Sequence, residues 1–184
     1  LAQSILTIDQ FDEVDWDTVH HTLHSLPKMF QLFAAKQVFN ASAVLRNLSK
    51  QKEHAHMGDT CPSCTIQTET CEHILTCPEE GRLKSLQLQI KRIRDWLYVV
   101  GTNPTLTQTI SNFLLTRGSM IHNGRALPID PTYASFVESQ TTIGWRRTME
   151  GMISVELGRL DHHDNLDPTC KLTKQQWRQG LITR

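Results

Sequence analysis

The sequence predicts an all-α fold, an irregular multi-helix domain with a small cysteine-rich loop inserted between its helices. Apolar residues recur at three- and four-residue steps through much of the 184-residue chain, and no convincing period-two strand is present. Four of the five cysteines fall within residues 61–78, "CPSCTIQTETCEHILTCP". We therefore expect an N-terminal helical segment at 1–53, the loop at 54–78 and a C-terminal helical region at 79–184.

Composition limits the classes of protein to which the chain can belong. Apolar residues make up 39% and charged residues 21%, as is typical of folded globular domains, and nineteen basic residues balance nineteen acidic ones. No run of about eighteen apolar residues predicts a membrane span, and no signal peptide is evident. We expect an intracellular protein, nuclear or cytoplasmic, without a membrane partner. The start at Leu and the end inside an apparent helix suggest a fragment.

The first half of the chain predicts two helices and a linker. Asp15 is a candidate N-cap for a helix that stops before Pro27. A single apolar stripe then predicts one longer helix, followed by a polar linker at "KQKEHAHMGDT". The stripe consists of Phe30, Phe33, Ala34, Val38, Ala41, Leu45 and Leu48.

The second half predicts four more helices. The first starts at Pro78 and closes at Gly101, with a stripe of Leu83, Leu86, Ile90, Ile93, Leu97 and Val100. A shorter helix ends at Gly118, and a turn-rich loop follows. One long helix is predicted from about Gln140 to Leu160, although Gly144, Gly151 and Gly158 recur in it and would let one side approach a neighbour closely. A last helix starts near Thr173.

The cysteine-rich loop has the spacing of a metal site. Cys61, Cys64, His73 and Cys77 offer three thiolates and one imidazole, a set that suits structural Zn²⁺. The three residues between His73 and Cys77 place both on one face of a helical turn starting near Glu72. Four protein ligands leave no position for water, so we expect zinc to stabilise the loop rather than to catalyse a reaction.

Several alternatives to this ligand set remain open at the sequence level. Cys71 could replace His73 in an all-cysteine site, or it could be a spare thiol or a packing residue. Disulfides are a further option, although the odd cysteine count and the lack of a secretion signal disfavour them. His54 and His56 could replace His73 only if the linker folded back.

The segment "CPSC…ETCEHILTCP" resembles the zinc-binding region that follows the polymerase in reverse transcriptases of non-LTR retrotransposons. The matching positions are Cys61, Pro62, Cys64, Glu72, His73, Cys77 and Pro78. The stretch "SQTTIGWRRTMEGMISVELGRL" also resembles a Gln-x-x-Ile-Gly-Trp segment of retroelement-derived reading frames. Together the two matches cover about a quarter of the chain. The resemblance implies a zinc-binding accessory region of a retroelement-type protein.

The sequence also departs from that family. The retrotransposon pattern more often has four residues between the histidine and the last cysteine, and Cys71 is an additional thiol. No Tyr/Phe-x-Asp-Asp polymerase motif is present, so polymerase activity cannot be carried over. No phosphate loop, Gly-x-Ser-x-Gly elbow or His-Glu-x-x-His helix occurs either, and we predict no enzymatic activity. The polar stretch "DHHDNLD" and Cys170 are interpreted as non-catalytic.

Two functions follow from these observations. In the first, the zinc loop presents the helix after Pro78, and its basic residues contact the phosphates of RNA or DNA without reading sequence. Those residues are Lys84, Lys91, Arg92 and Arg94. In the second, the zinc site is purely structural, and the protein docks onto another domain or chain of a retroelement protein. The direction in which the basic side chains point should discriminate between the two functions.

Overall fold

The computed structural model describes residues 6–160 and 172–183, and these residues form a predominantly helical structure. This confirms the predicted all-α class. Eleven α-helices and one two-stranded sheet lie within the described ranges. The helices are α1 (Ile8–Asp12), α2 (Trp16–Ser25), α3 (Lys28–Val38), α4 (Leu45–Leu48), α5 (His73–Thr76), α6 (Glu80–Val99), α7 (Pro104–Leu115), α8 (Ala134–Ile143), α9 (Trp145–Met149), α10 (Val155–Arg159) and α11 (Lys174–Ile182).

The sheet is a short hairpin in the turn-rich region that the sequence predicts as loop. Strand β1 (Ile121–His122) pairs antiparallel with β2 (Arg125–Ala126). The two residues between the strands, Asn123 and Gly124, have φ values of 49° and 72°. Asn-Gly is a preferred sequence for such a two-residue turn because both residues tolerate positive φ. Short 3₁₀ helices at Ala55–Met57 and Pro131–Tyr133 complete the regular structure of the described residues.

By its internal contacts the chain divides into two compact units, and the division falls within α6. The first unit comprises Leu26–Leu86, and the second comprises Leu6–Ser25 with the described part of the chain from Gln87 onward. The three predicted segments 1–53, 54–78 and 79–184 have different boundaries from these units. The cysteine-rich loop belongs to the first unit, together with α3, α4, α5 and the first turns of α6.

The second unit contains a conventional apolar core. Leu97 of α6, Phe113 of α7 and Ile143 of α8 are at most 1% exposed. Helix α11 packs against α2, and α8 packs against α1, α9 and α10. The two buried tryptophans find polar partners, as expected of buried indoles: Trp145 Nε1 donates to the carbonyl of Leu114 at 3.0 Å, and Trp177 Nε1 donates to Thr102 Oγ1 at 2.9 Å.

Several predicted helix ends are confirmed by their capping contacts. Asp15 caps α2, because its Oδ1 accepts from the backbone N–H of Thr18 at 3.0 Å. Gly101 ends α6 with a φ of 72°, its N–H donating to Tyr98 O and that of Thr102 donating to Leu97 O. This pair of bonds defines a Schellman motif. Helix α7 is likewise followed by Gly118 with a φ of 80°.

The start of α6 differs slightly from the prediction. The helix begins at Glu80 rather than at Pro78. The carboxylate of Glu79 accepts from the backbone N–H groups of Gly81 at 2.9 Å and Arg82 at 3.0 Å. These bonds, with the bond from Gly81 the stronger influence, lower the pKa of Glu79. Glu79 therefore acts as the N-terminal cap, and Pro78 precedes it.

Two helix predictions are wrong. The apolar stripe from Phe30 to Leu48 is not one helix, because α3 ends at Val38 and Asn40 adopts a φ of 54°. The long helix from Gln140 to Leu160 is three short helices. Gly144 and Gly151 have φ values of 92° and 89°, which end α8 and follow α9. The predicted stretch "DHHDNLD" and Cys170 lie outside the described residues.

Candidate metal centre

The first two candidate ligands lie on a tight turn held by backbone hydrogen bonds. The N–H of Thr65 donates to the carbonyl of Cys61 at 2.8 Å, and the N–H of Cys61 donates to the carbonyl of Gln67 at 2.7 Å. Thr60 and Thr68 pair as an isolated antiparallel bridge. This closed loop points the side chains of Cys61 and Cys64 toward the same interior.

The other two candidate ligands lie at the two ends of one helical turn, as the sequence predicts. His73 is the first residue of α5, and Cys77 follows its last residue. The hydroxyl of Thr70 accepts from the backbone N–H of His73 at 2.9 Å and fixes the start of the turn. His73 is 5% exposed and Cys77 is 1% exposed, so both side chains point inward.

The four ligand atoms converge on one point. The Sγ atoms of Cys61, Cys64 and Cys77 and a ring nitrogen of His73 all lie within 4.8 Å of one another. Cys61 Sγ is 4.0 Å from Cys77 Sγ, and Cys64 Sγ is 3.4 Å from His73 Nε2. The cluster has the ligand types and spacing to hold a metal ion. The four cysteines of the described residues, 61, 64, 71 and 77, are free thiols, so the structure contains no disulfide there.

Backbone amides directed at the sulfur atoms favour thiolates on the turn. Burial raises the pKa of Cys61, but hydrogen bonds from the N–H groups of Cys64 and Ser63, with a further one from His73, outweigh it, and the net pKa is lowered. The N–H groups of Ile66 and then Gln67 lower the pKa of Cys64. Since a metal binds the thiolate, this arrangement of amides prepares both sulfurs for an ion.

The pKa of the third thiol, that of Cys77, is shifted in the opposite direction. The N–H of Glu79 donates to Cys77 and would lower its pKa, but burial and the neighbouring Cys61 and Cys64 together raise it. Three sulfurs so close together cannot all carry a charge without a compensating cation. The cluster is therefore electrostatically incomplete as a set of three thiolates, and a bound divalent cation would complete it.

Cys71 does not belong to the cluster of ligand atoms. Its side chain is 2% exposed, and its carbonyl accepts from Gln37 Nε2 at 3.1 Å. Gln37 Oε1 in turn accepts from Ser42 Oγ at 2.9 Å, and both side chains are buried. This polar network connects α3 to the residues just before α5. The structure thus places Cys71 where it packs, one of the roles that the sequence left open.

Of the four predicted basic residues of α6, three are exposed and contact side chains of their own helix. Lys84 contacts Glu80 at 2.6 Å, and Lys91 forms an ion pair with Asp95. Arg92 Nη1 lies 3.4 Å from Gln89 Oε1, and Arg94 is half-buried. Of these four, Lys84 belongs to the unit that contains the cysteines. Exposed ion pairs of this kind are weak in water. The ammonium groups of Lys84 and Lys91 therefore stay accessible to other anions.

One surface was missed by the sequence reasoning. The exposed face of α3, here called the α3 surface, carries large apolar and basic side chains: Lys28, Met29, Phe30, Leu32, Phe33 and Lys36. Met29 is 79% exposed, and Phe30 and Phe33 are each 60% exposed. In the sequence, the two phenylalanines fit the apolar stripe of a helix and are expected to pack against other residues. Two features of the sequence could have indicated this surface. The phenylalanines lie close to lysines, and residues 18–52 contain no Asp or Glu.

The second unit holds an apolar cavity of about 230 Å³. Its wall is formed mainly by aliphatic and aromatic side chains of α6, α7, α8 and α11, with Gln89, Gln140 and Thr148 as its polar side chains. Gln140 already uses its amide nitrogen on Thr148 Oγ1 and its amide oxygen on the N–H of Ser154. None of the residues that line this cavity is titratable, so it does not present an acid–base pair.

Comparison of the chain with family models, curated proteins and solved structures gives no match. The predicted resemblance to retrotransposon reverse transcriptases stays a prediction that rests on the quoted motifs. Within residues 6–160 and 172–183, none of the helices combines the length and the apolar character needed to cross a bilayer.

Proposed function

We propose that Cys61, Cys64, His73 and Cys77 bind one structural Zn²⁺ ion. Tetrahedral zinc with Zn–S bonds of about 2.3 Å and a Zn–N bond of about 2.0 Å brings two sulfurs to about 3.8 Å and a sulfur and a nitrogen to about 3.5 Å. The corresponding separations here are 4.0 Å and 3.4 Å. Three sulfurs and one imidazole suit zinc better than calcium or magnesium, which prefer oxygen.

The observation that carries this proposal is the composition of the first unit's core. Between Leu26 and Leu86 the buried apolar side chains are Val44 and three cysteines, Cys61, Cys71 and Cys77. A unit of this size with a single buried aliphatic side chain cannot offset its conformational entropy by apolar burial. Structural zinc supplies on the order of 10 kcal/mol in comparable sites. The ion would therefore provide most of the folding free energy of this unit.

Metal analysis of matched variants tests the zinc site. The purified protein should contain about one zinc per chain, and Cys64→Ala should lose it. Cys71→Ala is the matched control, because it removes a buried thiol of the same loop that lies outside the cluster. Equal zinc loss from both variants, or a first unit that folds fully without metal, would contradict the proposal.

We further propose that the zinc-bound unit assists nucleic-acid binding through non-specific phosphate contacts. The α3 surface supports this role, because exposed aromatic rings stack on bases and nearby lysines attract the phosphate backbone. Residues 18–52 contain five basic and no acidic side chains, and all five basic side chains are exposed. Among the sequence-predicted residues, exposed Lys84 belongs to the same unit.

Arg82 connects the start of α6 to the turn that carries the first two ligands. Its Nε donates to Ser63 Oγ at 3.2 Å, within the Cys61–Cys64 turn. A cationic side chain thus lies beside the candidate metal centre and adds to the basic charge of the first unit. The retroelement resemblance of residues 61–78 supports the same role, that of an accessory module in a retroelement-type protein.

A salt titration of binding to mixed single-stranded RNA and DNA tests the nucleic-acid role. Each phosphate-contacting lysine should contribute about 0.7 to the slope of log K against log salt. Lys28→Gln and Lys36→Gln should therefore flatten the slope. Phe30→Ala and Phe33→Ala should each weaken binding by about 1–3 kcal/mol. Phe11→Ala is the matched control, because Phe11 is also exposed but belongs to the second unit.

A second candidate function is docking of another protein chain onto the α3 surface. The exposed aliphatic side chains Met29 and Leu32 favour it, because nucleic acid offers them few partners, whereas a protein groove buries them. The same titration separates the two roles. Absence of nucleic-acid binding at low salt ends the first role, whereas a partner whose association tolerates high salt and is lost in Met29→Ala supports the second.

A further inference from the structure

The second unit displays a pair of histidines on one exposed face of α2. His20 and His24 are four residues apart, so they lie one above the other on the helix. Their ring centroids are 4.3 Å apart, with the ring planes inclined at 49°. Both side chains are exposed. Imidazoles at i and i+4 of one helix are a recognised arrangement for sharing a metal ion.

The packing of α2 fixes these rings on the solvent side. The buried residues of the helix are Thr18, Val19 and Thr22, which share the opposite face. Helix α11 packs against α2 within the same unit. With about 100° per residue, His20 and His24 point almost directly away from this buried face. The two rings can therefore reach an ion from solvent without any change in the packing of the unit.

His21 differs from this pair, although it is adjacent in sequence. Its ring is 5.7 Å from that of His20 and nearly perpendicular to it, at 84°. Its Nδ1 lies 2.7 Å from the backbone carbonyl of Asp17, so one of its nitrogens is already engaged. The chain thus offers an internal comparison between two histidines that share a face and a third that does not.

The charge of the surrounding sequence favours a cation at this position. Residues 1–27 contain five acidic side chains and no Lys or Arg, and only Asp15 among the five pairs with a cation of α11, Arg178. Asp17, one turn before His20, is exposed on the same helix. The negative potential of the carboxylates attracts a divalent cation. It does not hinder His20 and His24 as ligands, because an imidazole that binds a metal is neutral.

We propose that His20 and His24 form a second, exposed metal site for a divalent transition ion. Imidazole nitrogen suits Zn²⁺, Ni²⁺ and Cu²⁺, and the affinity of such sites generally rises toward Cu²⁺. Two protein ligands leave the other coordination positions of the ion to water or to a donor from another molecule. The site is thus chemically unlike the closed cysteine cluster, because it is open and exchanges its ion readily.

Titration of the intact, zinc-loaded protein with Ni²⁺ at neutral pH tests this proposal. Isothermal titration calorimetry should detect one nickel per chain. His24→Ala and His20→Ala should each weaken binding by about tenfold or more, since loss of outer partners alone already costs roughly 10–100-fold at metal sites. His21→Ala should leave the affinity within about twofold.

Proton NMR of the histidine rings gives an independent readout, because paramagnetic Ni²⁺ should broaden the signals of His20 and His24 before those of His21. Two results would overturn the site: no nickel binding by the zinc-loaded protein, or equal loss of affinity in His21→Ala and His24→Ala. Zinc content measured in parallel shows that the cysteine cluster keeps its ion in all three variants, which separates the two sites.

Discussion

The guanidinium of Arg178 in α11 forms an ion pair with the carboxylate of Asp15, the cap of α2. The path of this side chain runs directly over Gly158 of α10. A Cβ atom placed on Gly158 would lie 2.6 Å from Arg178 Nη1, closer than real contacts allow. Gly158 is helical, so the reason for a glycine here is space for a side chain that joins two other helices.

Gly158→Ala should therefore have an effect that depends on Arg178. Alanine favours a helix over glycine by up to about 1 kcal/mol, but its methyl group would displace the guanidinium from Asp15. We expect no stabilisation in the native background and stabilisation approaching 1 kcal/mol in an Arg178→Met background. A double-mutant cycle by urea denaturation measures this coupling. Equal effects of Gly158→Ala in both backgrounds would show that the ion pair does not depend on the glycine.

On the proposed zinc site, removal of the metal should unfold the first unit and leave the second folded. The reason is the difference between their cores, since the second unit buries Leu97, Phe113 and Ile143 whereas the first buries one aliphatic side chain. After chelation, amide hydrogen exchange should become fast at residues 59–77 and remain slow in α7. Protection that persists at residues 59–77 in the metal-free protein is the contrary outcome.

On the same proposal, Thr65→Gly should tighten zinc binding by the cysteine cluster. Thr65 has a φ of 56°, a conformation that costs a β-branched residue about 1–2 kcal/mol. Because folding of the turn and metal binding are coupled, relief of this strain should raise zinc affinity by roughly tenfold. Competition with a chromophoric chelator measures the change.

Two controls isolate this strain. Thr65→Ala also removes the hydrogen bond from Thr65 Oγ1 to Cys64 O, yet it retains a Cβ, so its affinity should lie below that of Thr65→Gly. Gly58→Ala introduces the reverse change at a φ of 67°, with no atom within 4 Å of the new methyl group. It should weaken binding through the backbone alone. Equal affinities of the alanine and glycine variants at position 65 would refute the strain argument.

Glu69→Ala should destabilise the first unit by about 1 kcal/mol. Helix α4 has no side-chain cap of its own at Val44, and Glu69 Oε1 accepts from the N–H of Leu45 at 3.0 Å. The carbonyl of Glu69 also accepts from the N–H of Arg46 at 3.2 Å. Thermal unfolding of the zinc-bound protein is the measurement. Glu69→Gln keeps an acceptor oxygen and should cost less, so a larger loss in Glu69→Gln would argue against the capping role.

The helix ends that the sequence predicts correctly depend on local chemistry. Asp15 caps α2 by accepting a hydrogen bond from the N–H of Thr18, three residues later in the chain. Gly101 ends α6, where its own N–H donates to a carbonyl of the last helical turn. The convergence of Cys61, Cys64, His73 and Cys77 is also a local property, because ligand spacing within eighteen residues restricts where the side chains can point. Such features need no knowledge of distant partners.

The predictions that were wrong or incomplete concern features that depend on contacts between distant residues or on backbone dihedral angles. Gly144 is compatible with a helix by periodicity, and only its φ of 92° reveals a break. Phe30 and Phe33 fit an apolar stripe, but whether a stripe is buried depends on what packs against it. The cap that Glu69 provides for α4 comes from 24 residues away, so no local pattern near Val44 could indicate it.

The near absence of buried aliphatic side chains in the first unit has a consequence for the living cell. On the proposed zinc site, the folded fraction of this unit follows the free zinc concentration relative to its dissociation constant, as for any ligand that binds only the native state. The α3 surface would then be displayed in its folded form only where zinc is sufficient. The binding role proposed for the α3 surface would in that way depend on the supply of zinc.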